Sequence, residues 1–321
     1  MQTMKMNASR RAVAKRKSRF LLKFFIFVVI VGSLSFATYY LKKTIETKKR
    51  TSTPLSILYD EWNNKNYKVV YDTASQFMET DRFNKTALMF HGYSAFYLAV
   101  ASTDTSNAQS LVDEAINNIR IVLQDAKPSA VPQLEYMLGK AYFYKNVLSS
   151  YHYYSDLAIE HLLASKNYGY EADDIPEYLG LSYSALGRIQ ESISAFTEAL
   201  SVRESDVLLM SIAEQYYKSG QPKTAVQYLF RVNSVSQNEE LILRSKTLLG
   251  QIYIDDEKYA EAREIFEAII EKEPNSADAY YGLGVTYEKE GDLVKARAEW
   301  RKALRIQVNH AGALNKMNSY K

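Results

Sequence analysis

Cysteine is absent from the 321-residue chain. Disulfides, thiolate catalysis, Cys-ligated zinc and lipid attachment to a cysteine are thereby excluded. Proline and glycine are scarce, at 6 and 12 residues. The glycines stand singly, so no phosphate-cradling loop or dinucleotide fingerprint is formed. Histidine is rarer still. His91, His152, His161 and His310 are dispersed, and His152 and His161 lie nine apart with no HExxH motif, so no metal site is expected. Asp255-Asp256-Glu257 lacks the spaced ligands and the glycine of a calcium loop. Asn84-Lys85-Thr86 is formally a glycosylation acceptor and carries little weight. With no constellation of nucleophile, base or metal ligands, the expectation is a protein that is not an enzyme and takes no cofactor.

Positive charge is concentrated at one end. Residues 1–50 hold thirteen Lys/Arg against the single acid Glu46, whereas the remainder has 27 basic and 36 acidic residues, a net −9. A folded part this acidic lacks the clustered cations that displace counterions from phosphates, so nucleic acid is not an expected partner. Tyrosine, by contrast, is abundant at 26 residues, a composition suited to helices packed through aromatic rings.

The basic block RRAVAKRKSR, Arg10 to Arg19, runs directly into Phe20 to Leu41, whose only charge is Lys23. Phe24 to Leu41 gives eighteen uncharged residues, about 27 Å of helix at ~1.5 Å per residue, enough for a bilayer core of roughly 30 Å once Lys23 snorkels. Tyr39 and Tyr40 stand where interfacial rings prefer to lie. The reading is a basic leader at 1–19, a transmembrane helix or signal anchor at 20–41 and a basic linker at 42–50. Eight cations precede or enter the span and five follow it, which places the N-terminus in the cytoplasm and the remainder outside. Two alternatives stay open: a signal peptide cleaved after Ser35-Phe36-Ala37, and a cytoplasm-facing array.

A repeat emerges from the C-terminal hundred residues. Tyr280-x2-Leu283-Gly284-x2-Tyr287 is followed by Gly291, then Ala296-x3-Trp300-x2-Ala303. Thirty-four residues earlier, Leu249-Gly250-x2-Tyr253 is followed by Ala262-x3-Phe266 and closes at Pro274. This register resembles the tetratricopeptide repeat, a pair of antiparallel helices with the pattern W-x2-L-G-x2-Y, A-x3-F, P. The small residues suit a close helix crossing and the large ones fill the space around it. Looser copies extend upstream: Leu179-Gly180-x2-Tyr183 with Phe196 and with Ser192 in place of alanine, Ile212-Ala213-x2-Tyr216 with Ala225-x3-Leu229, and Leu138-Gly139-x2-Tyr142 with Ala158-x3-Leu162. Further back, Gly92 with Ala115-x3-Ile119, and Leu58, Trp62, Val70, Ala74 and Phe77, suggest two degenerate copies.

The expected fold class is therefore all-α, an N-terminal transmembrane helix followed by an α-solenoid over residues 51–310. Seven repeats start near 51, 85, 132, 173, 206, 243 and 277, and residues 311–321 form a short capping helix or tail. Extra residues around Asn146 to Tyr154 are expected to lengthen both helices of their hairpin by a turn. Others around Ala101 to Ala108 form a polar, turn-forming insertion.

The resemblance implies a right-handed superhelix whose concave face is lined by the first helix of each pair. Inward positions there hold Tyr59, Trp62, Tyr93, Phe96, Tyr97, Tyr136, Lys140, Phe143, Tyr144 and Tyr217, an aromatic groove suited to an extended peptide or amphipathic helix. Towards the C-terminus they hold Arg244, Gln251, Asp255, Asp278, Tyr281 and Glu288. Many of these rings equally suit packing against neighbouring hairpins. The Lys/Asn/Asn/Lys/Arg clamp with which co-chaperone members hold a terminal carboxylate is missing, since only Lys140 and Arg244 are basic. The resemblance to membrane-anchored bacterial members implies a scaffold or adaptor in the inner membrane that holds a protein or peptide partner, in envelope assembly, translocation or periplasmic chaperoning. The alternative is a self-associating structural part of a secretion or division machine.

Overall fold

A computed structural model describes residues 35–42, 55–149 and 153–320, and every regular element among them is α-helical. The basic leader, most of the basic linker and all of the expected span except 35–41 lie outside the described residues. Residues 35–42 are helical and exposed. Among the described residues, no helix is long and apolar enough to cross a membrane.

The chain divides into two units, Met1–His91 and Gly92–Lys321. In the first, α1 (residues 55–63) and α2 (Tyr67–Thr80) pack with the opening turns of α3 (Lys85–Ala101) around Leu58, Val70, Ala74 and Phe90. Tyr59 and Trp62 lie edge-on to the Phe90 ring at 4.7 and 5.9 Å.

The second unit begins within α3 and continues through α4 (Thr105–Gln124). Helix pairs follow in order: α5 (Val131–Leu148) with α6 (Ser155–Asn167), α7 (Ile175–Ala185) with α8 (Ile189–Val202), α9 (Asp206–Lys218) with α10 (Pro222–Val235), α11 (Glu239–Asp255) with α12 (Tyr259–Lys272), and α13 (Ala277–Lys289) with α14 (Leu293–Ile306). A last helix, α15 (Ala311–Ser319), covers α14 through Ala313, Met317 and Tyr320. Each pair also touches the next, and successive first helices α9, α11 and α13 meet one another. This is an α-solenoid of tetratricopeptide type.

The crossings follow from residue size. A Cβ on Gly180 would sit 2.4 Å from the Phe196 ring, on Gly284 2.5 Å from Trp300, on Gly250 2.6 Å from Phe266, and on Gly139 2.6 Å from Leu162. Phe266 is also the contact between hairpins, because a Cβ on Gly282 would lie 2.3 Å from the same ring. Where alanine replaces glycine, Ala213 and Ala225 are both fully buried. Leu138, Leu179, Leu249, Leu283, Tyr142, Ala262, Ala296 and Ala303 are buried beside these crossings, while Tyr183, Tyr216, Tyr253 and Tyr287 are half-buried. Ser192, standing where alanine is usual, donates from Oγ to the Gly180 carbonyl at 2.8 Å, so its buried hydroxyl is satisfied.

Both insertions are absorbed differently from the sequence expectation. The segment around Ala101 to Ala108 leaves only three residues outside helices, because Asp104 accepts from the Ser106 N–H and starts α4 at once. Its extra length lies in α3 and α4, of 17 and 20 residues. In the later hairpin only α5 is long, at 18 residues against 13 for α6. Residues 150–152 of that segment lie outside the described residues.

Candidate functional site

Three helices each turn one stripe of side chains towards a cavity of about 780 Å³. From α11 come Glu240, Leu243, Arg244, Thr247, Leu248 and Gln251, the i, i+3, i+4, i+7 series of a single helix face. Met210, Glu214, Tyr217 and Lys218 come from α9, and Asp278, Tyr281 and Gly282 from α13. The eleven steps of α11 from Glu240 to Gln251, at ~1.5 Å each, give the groove a length of about 16 Å, the span of about five residues of extended chain.

Polar links between consecutive first helices fix the walls. Arg244 pairs with Glu214 at 2.5 Å. The Tyr217 hydroxyl donates to Asp255 at 2.6 Å, and Asp255 also accepts from Gln251 at 2.9 Å. Burial, then the Asp255 carboxylate, push the Tyr217 hydroxyl up to about 12. Asp278 contacts His310 Nε2 at 2.9 Å, while His310 Nδ1 accepts from the Ala313 N–H and so caps α15. Glu288 accepts from Lys316 and Tyr320, both at 2.5 Å. The floor is apolar, with Met210 and Phe266 buried, and the rim carries mixed charge.

The other aromatic positions singled out in the sequence come together as well, but with one another. Phe96 meets Tyr97 and Tyr144 edge-on, both at 5.3 Å, and Phe143 meets Tyr178 at 4.9 Å. Lys140 is the centre of this cluster. Its Nζ lies 4.9 Å from the centre of the Tyr136 ring, 5.0 Å from Tyr178 and 5.7 Å from Phe96. It also donates to Asp174 at 2.9 Å and to the Tyr136 hydroxyl at 3.0 Å. Asp174 occupies the N-cap of α7, yet its carboxylate accepts from Tyr136 at 2.8 Å and caps no backbone N–H of α7. Burial, followed by the Asp174 contact, raises the Tyr136 hydroxyl above its ordinary range, and burial does the same to Tyr178 and Tyr93. A buried ammonium needs such partners.

Of the ten groove positions in the aromatic set, Tyr93, Phe96, Tyr136 and Lys140 are buried, Tyr97, Phe143 and Tyr144 are half-buried in the cluster, and Tyr217 lines the cavity. In the first unit Tyr59 is 51% exposed and Trp62 half-buried. Arg244, Gln251, Asp278 and Tyr281 line the cavity, with Asp255 behind Tyr217. The α11 stripe also contains Glu240, Leu243, Thr247 and Leu248, which the sequence reading passed over. The period of the helix was the signal that could have found them.

Two tetratricopeptide repeat family models match the chain, over residues 247–310 and 179–206. A comparison with the curated proteins gave no match. Among solved structures, the chain is similar to the C-terminal part of a TPR repeat-containing protein from Cytophaga hutchinsonii, with a TM-score of 0.57 at 15% identity over 81% of this chain and 98% of that one. It is also similar to the apo form of the quorum sensor NprR from B. thuringiensis, with a TM-score of 0.57 at 15% identity over 83% and 78%. A tetratricopeptide repeat protein from Parabacteroides merdae gives 0.54 at 15% over 69% and 82%. Tetratricopeptide repeats are therefore present in this chain, and its fold is that of tetratricopeptide arrays.

Proposed function

We propose that the protein is a non-catalytic, membrane-tethered scaffold that holds an extended protein segment in the groove over α9, α11 and α13. The observation that carries this reading is the α11 stripe, six side chains at helical spacing that line an open cavity, of which Leu243 and Leu248 also rest on the core beneath. An apolar floor with a rim of mixed charge and amide groups suits a peptide backbone with alternating side chains. Residues 20–41 supply the tether, with the N-terminus in the cytoplasm and the array on the far side of a bacterial inner membrane, where it serves envelope assembly, translocation or chaperoning.

The test is selection of a random twelve-residue peptide display library on the purified protein, with counter-screening on Thr247→Arg, which projects a long cation into the groove. Enriched peptides that bind wild type and lose at least roughly tenfold affinity for the variant support the reading. Peptides that bind both proteins equally place the ligand elsewhere and overturn it.

A further inference from the structure

The last two hairpins carry opposite charges at equivalent places. Counting 34 residues from α12 to α14 superimposes Ala262 on Ala296 and Phe266 on Trp300, the buried positions. On the opposite, exposed side the same count sets Glu261 against Lys295, Glu267 against Arg301 and Glu271 against Arg305. Glu261, Glu267, Glu271, Arg301 and Arg305 make no hydrogen bond or ion pair among the described residues, while Lys295 is held at 3.0 Å by Asp292. Beyond the charges, Val294 at the start of α14 and Val308 in the turn after it are 83% and 79% exposed.

We propose that this outer face of α12 and α14 binds the same face of a second copy of the chain. As second helices of consecutive hairpins, α12 and α14 run in the same direction. A two-fold axis lying between them and parallel to both sets α12 of one copy on α14 of the other, in register, and repeats the contact reciprocally as an isologous interface requires. Glu267 then faces Arg301 of the second copy, and Glu271 faces Arg305. An anionic membrane surface does not fit, because the acidic stripe beside the basic one is repelled by it. An acidic peptide would leave the glutamates unanswered.

Two 14-residue helices make a face of about 21 by 20 Å, so the pair buries roughly 800 Å² in total, below the range of tight complexes. The dimer is accordingly weak and salt-sensitive. Tethering both copies in one membrane raises their effective concentration and favours it.

The experiment is sedimentation of the full-length protein in detergent, with circular dichroism to check the fold of each variant. Wild type at low salt is expected to dimerise as concentration rises and to dissociate in about 0.5 M salt. Glu267→Arg/Glu271→Arg and Arg301→Glu/Arg305→Glu should each weaken the dimer by roughly tenfold to a thousandfold, since the 267–301 and 271–305 pairs turn repulsive at both symmetry-related contacts. Mixed in equal amounts, the two variants should form a heterodimer, because their faces are again complementary. Three results each overturn the proposal: a wild type that stays monomeric at every concentration, reversal variants that dimerise like wild type, and a mixture that remains monomeric. Salt-sensitive binding of wild type to phosphatidylglycerol vesicles, lost in Arg301→Glu/Arg305→Glu while both remain monomers, would assign the face to lipid instead.

Discussion

Replacing Gly250 by alanine puts a methyl group 2.6 Å from Cζ of Phe266 and 3.0 Å from both Cε atoms. The ring has no room to retreat, because the α13 backbone at Gly282 presses its other side and the side chain is 1% exposed. Overpacking of this kind costs about 1–3 kcal/mol, and the gain in helix propensity from glycine to alanine offsets about 1 kcal/mol of it. Gly250→Ala should therefore lower the local stability of α11 to α13 by up to about 2 kcal/mol. Phe266→Leu removes the Cε and Cζ atoms that clash and leaves a small cavity, at a cost of about 1–2 kcal/mol. In that background the new methyl group meets space, and Gly250→Ala should stabilise by up to about 1 kcal/mol. The two sites are thus coupled by about 1–3 kcal/mol. Arrays do not unfold in a single step, so the assay is hydrogen exchange of amides in α11, α12 and α13 rather than a global melt. Gly220→Ala is the control, since a Cβ there meets nothing within 4 Å and its effect comes only from φ of +75°. Additivity of Gly250→Ala and Phe266→Leu within about 0.5 kcal/mol would refute the packing argument.

Other outcomes follow from single sites. Glu257 holds φ of +59° in the turn between α11 and α12, so Glu257→Gly should stabilise by about 1 kcal/mol and delay exchange there. Asp174→Ala leaves the Lys140 ammonium among ring faces without its carboxylate, whereas Lys140→Met leaves Asp174, whose side chain is 34% exposed, open to solvent. Asp174→Ala should therefore be the more destabilising of the two by hydrogen exchange of amides in α5 and α7, by about 1 kcal/mol or more. The Tyr217 hydroxyl titrates above its ordinary 10, at about 12, because burial and the Asp255 contact favour its neutral form. Its contribution to stability is complete below pH 10, declines as pH rises from there, and is lost above about 12. Subtracting the 295 nm titration of Tyr217→Phe from that of wild type should leave a step near the upper value.

The hairpin crossings were legible because a steric demand fixes the residue type. Glycine is demanded at 139, 180, 250 and 284, where a Cβ would meet a neighbouring side chain at 2.4 to 2.6 Å, and alanine serves at 213; the 34-residue step from 250 to 284 exposes the pattern, which the looser copies upstream then share. The turns were half legible. Gly187, Gly220 and Gly291 announce a positive φ, but Lys65 and Glu257 adopt the same conformation and hide it. The groove was harder to read, since a helical period gives a face and not its neighbours. Phe96, Tyr144 and Tyr178 come from three helices far apart in sequence and consume one another's surface. On the open stripe Arg244 and Gln251 are legible as inward positions, whereas Glu240 and Thr247 look in sequence like an ordinary solvated face. Lys140 was identified as inward-facing, yet nothing local to it marks Asp174, 34 residues on, as its counter-ion.

The central claim is that a partner lies along α11 between α9 and α13. A photo-crosslinking amino acid placed at Gln251, inside the groove, and separately at Gln227, exposed on α10 away from both the groove and the outer face of α12 and α14, tests it in growing cells. A discrete adduct from position 251, absent from position 227 and abolished by Thr247→Arg in the same chain, is the predicted result. Equal adducts from both positions, or one from position 227 alone, would contradict it.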